Sequence, residues 1–213
     1  MKPLEHSRYL ELRDAAQVVE ADHHGDKVLR LTDGSYLKLF RRKRLLTSAA
    51  LFPYAQRFAD NARQLAERGI PCPQVLEVYR AASLQRDLVH YSPLPGATLR
   101  QLRTSDEAAA LRPALGRFIA ELHDSGVYFR SLHLGNVVQT PEGELGLIDI
   151  ADLRCHARRL PLRLRVRNFH HLLRYGEDRD WLFEPGREPF LRAYAEACRQ
   201  PLDWRELDRQ LQD

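Results

Sequence analysis

The stretch Val127–Asp152, VYFRSLHLGNVVQTPEGELGLIDIAD, constrains the fold of this 213-residue chain more than any other. Two short apolar runs, Asn136-Val137-Val138-Gln139 and Leu145 to Ile150, flank a turn at Pro141-Glu142-Gly143. β-Branched residues on either side of a Pro/Gly turn predict a β-hairpin. The run Arg130-Ser131-Leu132-His133-Leu134-Gly135-Asn136 leads into the first strand, and Asp149 sits at the end of the second. Such a hairpin sets an amide oxygen and a carboxylate side by side at one end of a rigid ribbon. Two oxygen groups on adjacent strands suit Mg²⁺, which takes few protein ligands and completes its shell with water and phosphate.

The segment is similar to the catalytic loop, hairpin and metal-binding aspartate of protein-kinase-like phosphotransferases, whose pattern is H-R-D-x-x-x-x-N followed by D-F-G. Phe129-Arg130-Ser131 stands where His-Arg-Asp would, Asn136 matches the Asn, and Asp149-Ile150-Ala151 replaces Asp-Phe-Gly. The L-H-x-G-N run resembles the small bacterial sugar kinases, a group that includes lipopolysaccharide-core heptose and Kdo kinases and the aminoglycoside phosphotransferases. The resemblance implies a two-lobed α+β fold, with a small antiparallel N-lobe and a mainly helical C-lobe. It also implies ATP as phosphoryl donor and Mg²⁺ held by Asn136 and Asp149. One departure bears on activity. The family's aspartate, which accepts the substrate hydroxyl proton, is Ser131 here, and a serine hydroxyl is no base at neutral pH. Arg130 keeps the family's arginine. His133, two residues on, is either a substitute base or a histidine packed in the loop.

The rest of the chain supplies elements in the order this resemblance implies. Gln17–Ala21 and Lys27–Leu31 read as a hairpin around Asp22–Asp26; Asp33-Gly34 is a second turn, and Ser35–Phe40 a third strand. Lys38 takes the place of the strand lysine that contacts ATP phosphates in the family. The loop Asp22–Asp26 has a single glycine where a Gly-rich phosphate loop would lie. A helix follows from Pro53 to Gly69, with Tyr54, Phe58, Ala62 and Leu65 as its apolar stripe. Phe58 occupies the position of the family's lysine-pairing glutamate, leaving Asp60 or Asn61 as candidate partners for Lys38. Strands at Val75–Ala81 and Asp87–Tyr91 precede a turn-rich run, Tyr91–Gly96. The lobe boundary is placed near Tyr91, giving an N-lobe over 1–91 and a C-lobe over 92–213.

In the second half, Thr98–Leu102 opens a short helix, and Thr104-Ser105-Asp106-Glu107 reads as a capping box. The stripe Leu111, Leu115, Phe118, Ile119 and Leu122 runs to His123, with Pro113 expected to kink or restart the helix. His123 is read as a partner of the helix C-terminal dipole. After Asp152 comes an arginine-rich stretch, Leu160–Arg167, read as a loop that enters a helix near Arg165. In the family this region faces the acceptor, so Arg163, Arg165 and Arg167 are candidate ligands for an anionic substrate, which arginine holds bidentately. The adjacent His170 and His171 are read as structural. Helices at Glu188–Cys198 and Asp203–Leu211 complete the C-lobe.

Composition narrows the function. With 44% hydrophobic and 29% charged residues the chain is globular, and no apolar run approaches the ~20 residues of a membrane span. The N-terminal MKPLEHSRYLELRD lacks the apolar core of a signal peptide, so a cytoplasmic location is expected, with peripheral contact at the inner membrane. Cys72, Cys155 and Cys198 are scattered and without a C-x-x-C, as reduced thiols would be. The net charge of +4 is concentrated in Arg41-Arg42-Lys43-Arg44 and in Arg154, Arg158, Arg159, Arg163, Arg165 and Arg167. These clusters suit an anionic glycan or glycolipid acceptor. Without interleaved aromatics they do not suggest nucleic acid. Three readings follow, in this order: a kinase acting on a lipopolysaccharide-core sugar; a pseudokinase that keeps the fold without turnover; and an antibiotic phosphotransferase, against which the basic stretch speaks.

Overall fold

The computed structural model describes residues 1–42, 53–106, 108–184 and 186–212. Lys43 and Arg44 of the first basic cluster, and Glu107 of the expected capping box, lie outside them. The chain forms two compact units, Met1–Leu94 and Pro95–Asp213.

The first unit contains β1 (Lys2–Pro3), α1 (His6–Asp14), β2 (Gln17–Asp22), β3 (Gly25–Arg30), β4 (Tyr36–Arg41), α2 (Tyr54–Ala66), β5 (Gln74–Ala81) and β6 (Arg86–Ser92). The strands form one sheet in the order β1-β5-β6-β4-β3-β2, antiparallel except where the two residues of β1 run alongside β5. Alternation along β4 divides its side chains. Leu37 and Leu39 enter a core with Leu29, Leu88, Ala81, Leu4 and Tyr9. Tyr36, Lys38 and Phe40 take the opposite face. There the Phe40 ring lies 6.2 Å from Tyr54 and 6.5 Å from Phe58, and Phe58 lies 5.2 Å from Tyr91. Tyr91 is still inside the sheet, paired with Tyr36 and Val75. β1 and α1 have no counterpart in the sequence reading, because α1 buries Tyr9 alone and shows no apolar stripe.

The second unit begins with β7 (Ala97–Thr98), α3 (Leu99–Leu102) and α4 (Ala108–Asp124), and continues with β8 (Val127–Phe129), β9 (Val137–Gln139), β10 (Leu145–Leu147) and β11 (Leu153–Cys155). It ends in α5 (Leu162–Leu172), α6 (Gly176–Phe183), α7 (Glu188–Ala197) and α8 (Trp204–Gln212). Thr98 caps α3 in a capping box with Gln101, six residues ahead of the place expected from sequence. α4 runs unbroken through Pro113. It packs closely on α7 because Gly116 is bare: a Cβ there would stand 2.6 Å from the Phe190 carbonyl oxygen. Gly126, at φ +77°, ends the excursion from α4 and turns the chain into β8. Its missing Cβ would otherwise meet the carbonyl oxygens of His156 and Arg158 at 2.4 and 2.6 Å.

The expected hairpin is β9–β10, in the register Leu145↔Gln139 and Leu147↔Val137, closed by Gly143 N donating to Thr140 O at 2.9 Å. A second antiparallel pair, β8–β11, is too short to be signalled by sequence period. α5 starts at Leu162, earlier than the entry expected near Arg165, with Pro161 as its N-cap. Its buried residues are Arg165, Asn168, Phe169 and Leu172, a helical spacing in which two of the four inward positions are polar. That polarity is why a hydrophobic reading placed the start too late.

Candidate functional site

The residues singled out by sequence in the second unit meet around the loop between β8 and β9. Two buried side chains hold the loop at its ends. Asn168 on α5 brackets the last residue of β8: its Nδ2 donates to Phe129 O at 2.7 Å and its Oδ1 accepts from Phe129 N at 3.3 Å. Asp178 on α6 accepts from Leu134 N at 3.1 Å, while Arg100 on α3 donates to it bidentately at 3.0 and 2.6 Å. Between these clamps, Asn136 Nδ2 donates to Ser131 O at 2.9 Å and Ser131 Oγ donates to Asp152 Oδ2 at 2.6 Å. Sequence reasoning missed Arg100, Asp152, Asn168 and Asp178. Each lies far along the chain or on an element without a motif; Asp152, three residues beyond Asp149, was the one within reach.

Asn136 and Asp149 flank the end of the hairpin. The last ladder pair is Leu147↔Val137, and Ile148 N donates to Asn136 O at 3.0 Å, so Asp149 follows directly after Asn136's partner. Asn136 closes a 3₁₀ turn, Leu134–Asn136, rather than starting the strand. Its amide nitrogen must face the Ser131 carbonyl, which can only accept, and this turns the amide oxygen away from the loop. Asp149 adopts the left-handed region, φ 53° and ψ 44°, ahead of a second 3₁₀ turn, Ile150–Asp152, and its side chain does not cap that turn. Non-glycine residues rarely adopt this conformation, and aspartate is among those that tolerate it.

His133 does not have the form of a base. Its Nδ1 accepts from Gly135 N at 3.1 Å, and its ring stands edge-on to Tyr175 at 5.2 Å. Burial first, and then the Arg100 cation, push its pKa below the usual value. With the Nδ1 lone pair occupied, the neutral ring carries its proton on Nε2 and presents a donor there. The expectation of a substitute base at His133 is therefore corrected: it is the histidine packed in the loop.

The arginines divide by burial. Arg163 and Arg167, one turn apart, are exposed, whereas Arg165 is 7% exposed and cannot reach an external anion. Its Nη2 donates to Asp124 at 2.6 Å, its Nε to Leu160 O at 2.9 Å, and its Nη1 to Tyr194 Oη at 3.2 Å. The sequence assignment of Arg165 to the anion site is corrected to this structural role. Nearer the loop, Arg130, Arg167 and Arg174 are exposed and lie about His171, which hydrogen-bonds Tyr128 Oη at 2.9 Å. Burial, followed by the fields of Arg174, Arg167 and Arg130, lowers the His171 pKa, with Asp152 opposing them. The Ser131 end of the loop thus carries a positive rim, with the Asp152 carboxylate inside it.

His123 is also corrected. It is fully buried, with Nδ1 bonded to Tyr194 Oη at 2.8 Å and Nε2 to Asn168 Oδ1 at 3.3 Å. Desolvation, then Arg165, hold its pKa down at about 3, so it carries no charge with which to meet a helix dipole. In the first unit, Lys38 is half-buried on β4, its Nζ 5.8 Å from the Phe40 ring centroid, and Phe58 is an apolar core residue at 1% exposure. Asn61 is buried on the same helix, and Asp60 bonds Gln56 and Arg63. The three cysteines are free thiols, and among the described residues no helix is long and apolar enough to cross a membrane.

Comparison with known proteins agrees with this architecture. Residues 15–212 match the phosphotransferase enzyme family. A crystal structure of an aminoglycoside-3'-phosphotransferase of type VIII superposes with a TM-score of 0.63 at 18% identity, over 94% of this chain and 99% of that one. No curated protein sequence matches. The chain belongs to the phosphotransferase enzyme family and has its two-lobed α+β, protein-kinase-like fold.

Proposed function

We propose that the chain is a Mg²⁺-dependent kinase that transfers the terminal phosphoryl group of ATP to a hydroxyl of an anionic lipopolysaccharide-core sugar. The rim of exposed arginines, Arg130, Arg167 and Arg174, with Arg174 Nη2 donating to Arg130 O at 3.5 Å one residue before Ser131, is the observation that carries this reading. Guanidinium groups bind phosphate or carboxylate bidentately. A rim of this sign repels a polycationic aminoglycoside, the class of compound after which the solved neighbour is named. The donor set fits Mg²⁺: one amide oxygen and one carboxylate at adjacent positions of the hairpin end, leaving water and phosphate to complete the shell. When bound, the ion would neutralise charge on the transferring phosphates. Asn136 and Asp149 would hold it, and Lys38 would contact the phosphates as the family resemblance implies. The exposed arginines also suit peripheral contact with an anionic membrane face. The pseudokinase reading rests on Ser131, which removes the usual base.

The test presents the purified protein and labelled Mg-ATP with dephosphorylated core oligosaccharide and, separately, with an aminoglycoside. Label is expected in the oligosaccharide. Arg167→Ala and Arg174→Ala should each raise the acceptor KM roughly tenfold, the effect of one lost charge-assisted contact of about 1.5 kcal/mol. Label in the aminoglycoside alone refutes the acceptor. Mg-nucleotide binding without transfer to either acceptor selects the pseudokinase.

A further inference from the structure

Resting on that kinase reading, we propose that Ser131 and Asp152 together replace the single carboxylate with which this fold takes the acceptor proton. Ser131 Oγ would touch the acceptor hydroxyl, and Asp152 would act through it.

The pair is built by the β8–β11 ladder. Phe129 pairs with Leu153, Ser131 lies two residues after the first and Asp152 one residue before the second. A carboxylate on the turn that leads into β11 thereby reaches the loop position where the family keeps its own. The Ser131 Oγ to Asp152 Oδ2 distance of 2.6 Å is that of a hydroxyl bonded to a charged oxygen. An ionised carboxylate only accepts, so the serine hydrogen points at Asp152, and the serine lone pairs remain for another donor. The backbone beneath is fixed, since Ser131 O accepts from Asn136 Nδ2.

Among the described residues Ser131 is the hydrogen-bond partner of Asp152, whose charge also opposes the arginines around His171. Asp152 Oδ1 is buried with no hydrogen-bond partner among the described residues. Buried polar atoms are nearly always paired, and burying charge is costly. A neutral amide at this position could still tie the loop to the turn, by a weaker bond to the serine, but it could not take up a proton. A carboxylate adds the capacity to hold a proton. His133, the other candidate nearby, has its Nδ1 lone pair occupied.

The step balances. The acceptor oxygen forms a bond to the terminal phosphorus of the nucleoside triphosphate as the bridging P–O bond breaks, and the nucleoside diphosphate leaves with that electron pair. The acceptor proton passes to Ser131 Oγ while the serine proton passes to Asp152 Oδ2. Serine ends as it began and Asp152 ends protonated, to lose its proton to water after product release.

The experiment compares wild type with Ser131→Ala, Asp152→Asn, the double Ser131→Ala/Asp152→Asn, and Ser131→Asp/Asp152→Asn, which returns one carboxylate to the loop. Transfer from Mg-ATP to core oligosaccharide gives kcat and KM. Thermal stabilisation by a non-hydrolysable Mg-ATP analogue reports nucleotide binding independently of turnover. The expected result is a fall in kcat of ~10²–10⁴-fold in each single variant, the usual worth of a general base. Analogue binding should stay as in wild type, and the double variant should be no worse than either single one, as for groups acting as a unit. Ser131→Asp/Asp152→Asn should recover at least tenfold, because one carboxylate is back in the loop. The readout that a merely structural Asp152 would not move is the pH profile of kcat, whose acid limb should be present in wild type and lost in Asp152→Asn. Wild-type transfer with Asp152→Asn within threefold of it overturns the dyad and leaves the kinase reading standing. A wild-type protein that binds the analogue but transfers nothing, either to the oligosaccharide or to an aminoglycoside, overturns the dyad in favour of the pseudokinase. One that neither binds nor transfers overturns the kinase reading itself.

Discussion

Replacing Arg165 by leucine tests whether this arginine belongs to the core rather than to the acceptor. Its side chain is 8% exposed and that of its partner Asp124 is 3% exposed. Leucine would leave Asp124 ionised and buried with the Arg199 N–H at 2.7 Å as its remaining bond, and would strip the donor from Leu160 O. Removing one member of a buried pair costs about 3–5 kcal/mol, chiefly because the other charge stays buried without compensation. At about 2–4 °C per kcal/mol for a chain of this size, the melting temperature should fall by roughly 6–20 °C. Arg163→Leu, two residues away and exposed, should stay within about 0.5 kcal/mol of wild type. Urea and thermal unfolding of both variants give the comparison. Below its melting point Arg165→Leu should keep the wild-type acceptor KM. The reasoning fails if Arg165→Leu costs less than about 1 kcal/mol, or if it raises KM without loss of stability.

Two further outcomes are expected. His123 binds its proton near pH 6.5 when unfolded but only near pH 3 when folded. The unfolded state therefore holds more protons in that window, and stability falls as pH drops, by about 2 kcal/mol from this group between pH 7 and 5. Urea titrations at the two pH values should show the loss in wild type and a smaller one in His123→Gln. Asp149→Asn should abolish stabilisation by Mg-nucleotide while leaving the apo melting temperature within a few degrees of wild type; equal response of both proteins would make Asp149 a structural residue.

What the sequence disclosed follows from where each signal is local. The β9–β10 hairpin, the β2–β4 strands and the α4 stripe are written in alternation, turns and helical spacing within a dozen residues, and they are found where the periods place them. The β8–β11 pair is not local: three residues on each side carry no period, and Arg154 and Tyr128 meet only through the fold. The arginine-rich segment shows the same limit from another side. Leu160–Arg167 alternates like a strand, yet α5 turns every second arginine to a different environment, so Arg165 and Arg167 have opposite roles at two residues' separation. Composition identified the charge, and only the helix register could say which charges face water. Ser131 is the sharpest case. Its identity points to a missing base, whereas the carboxylate that bonds it lies 21 residues on, in the turn before β11.

The buried polar network and the loop form one mechanical unit. Asp124 anchors Arg165, Arg165 donates to Tyr194 Oη, Tyr194 donates to His123 Nδ1, and His123 donates from Nε2 to Asn168 Oδ1. The same Asn168 oxygen accepts from Phe129 N, two residues before Ser131. This chain of donors has one consistent direction only while His123 is neutral. A protonated ring would turn Nδ1 into a second donor aimed at a Tyr194 oxygen that already accepts from Arg165. Phe169 and Tyr194 pack edge-on against the His123 ring, with centroids 5.6 Å away in each case. Desolvation of His123 thus keeps the Tyr194 hydroxyl in its donor role, and the Asn168 oxygen that clamps Phe129 is shared with a histidine that touches neither Ser131 nor Asp152.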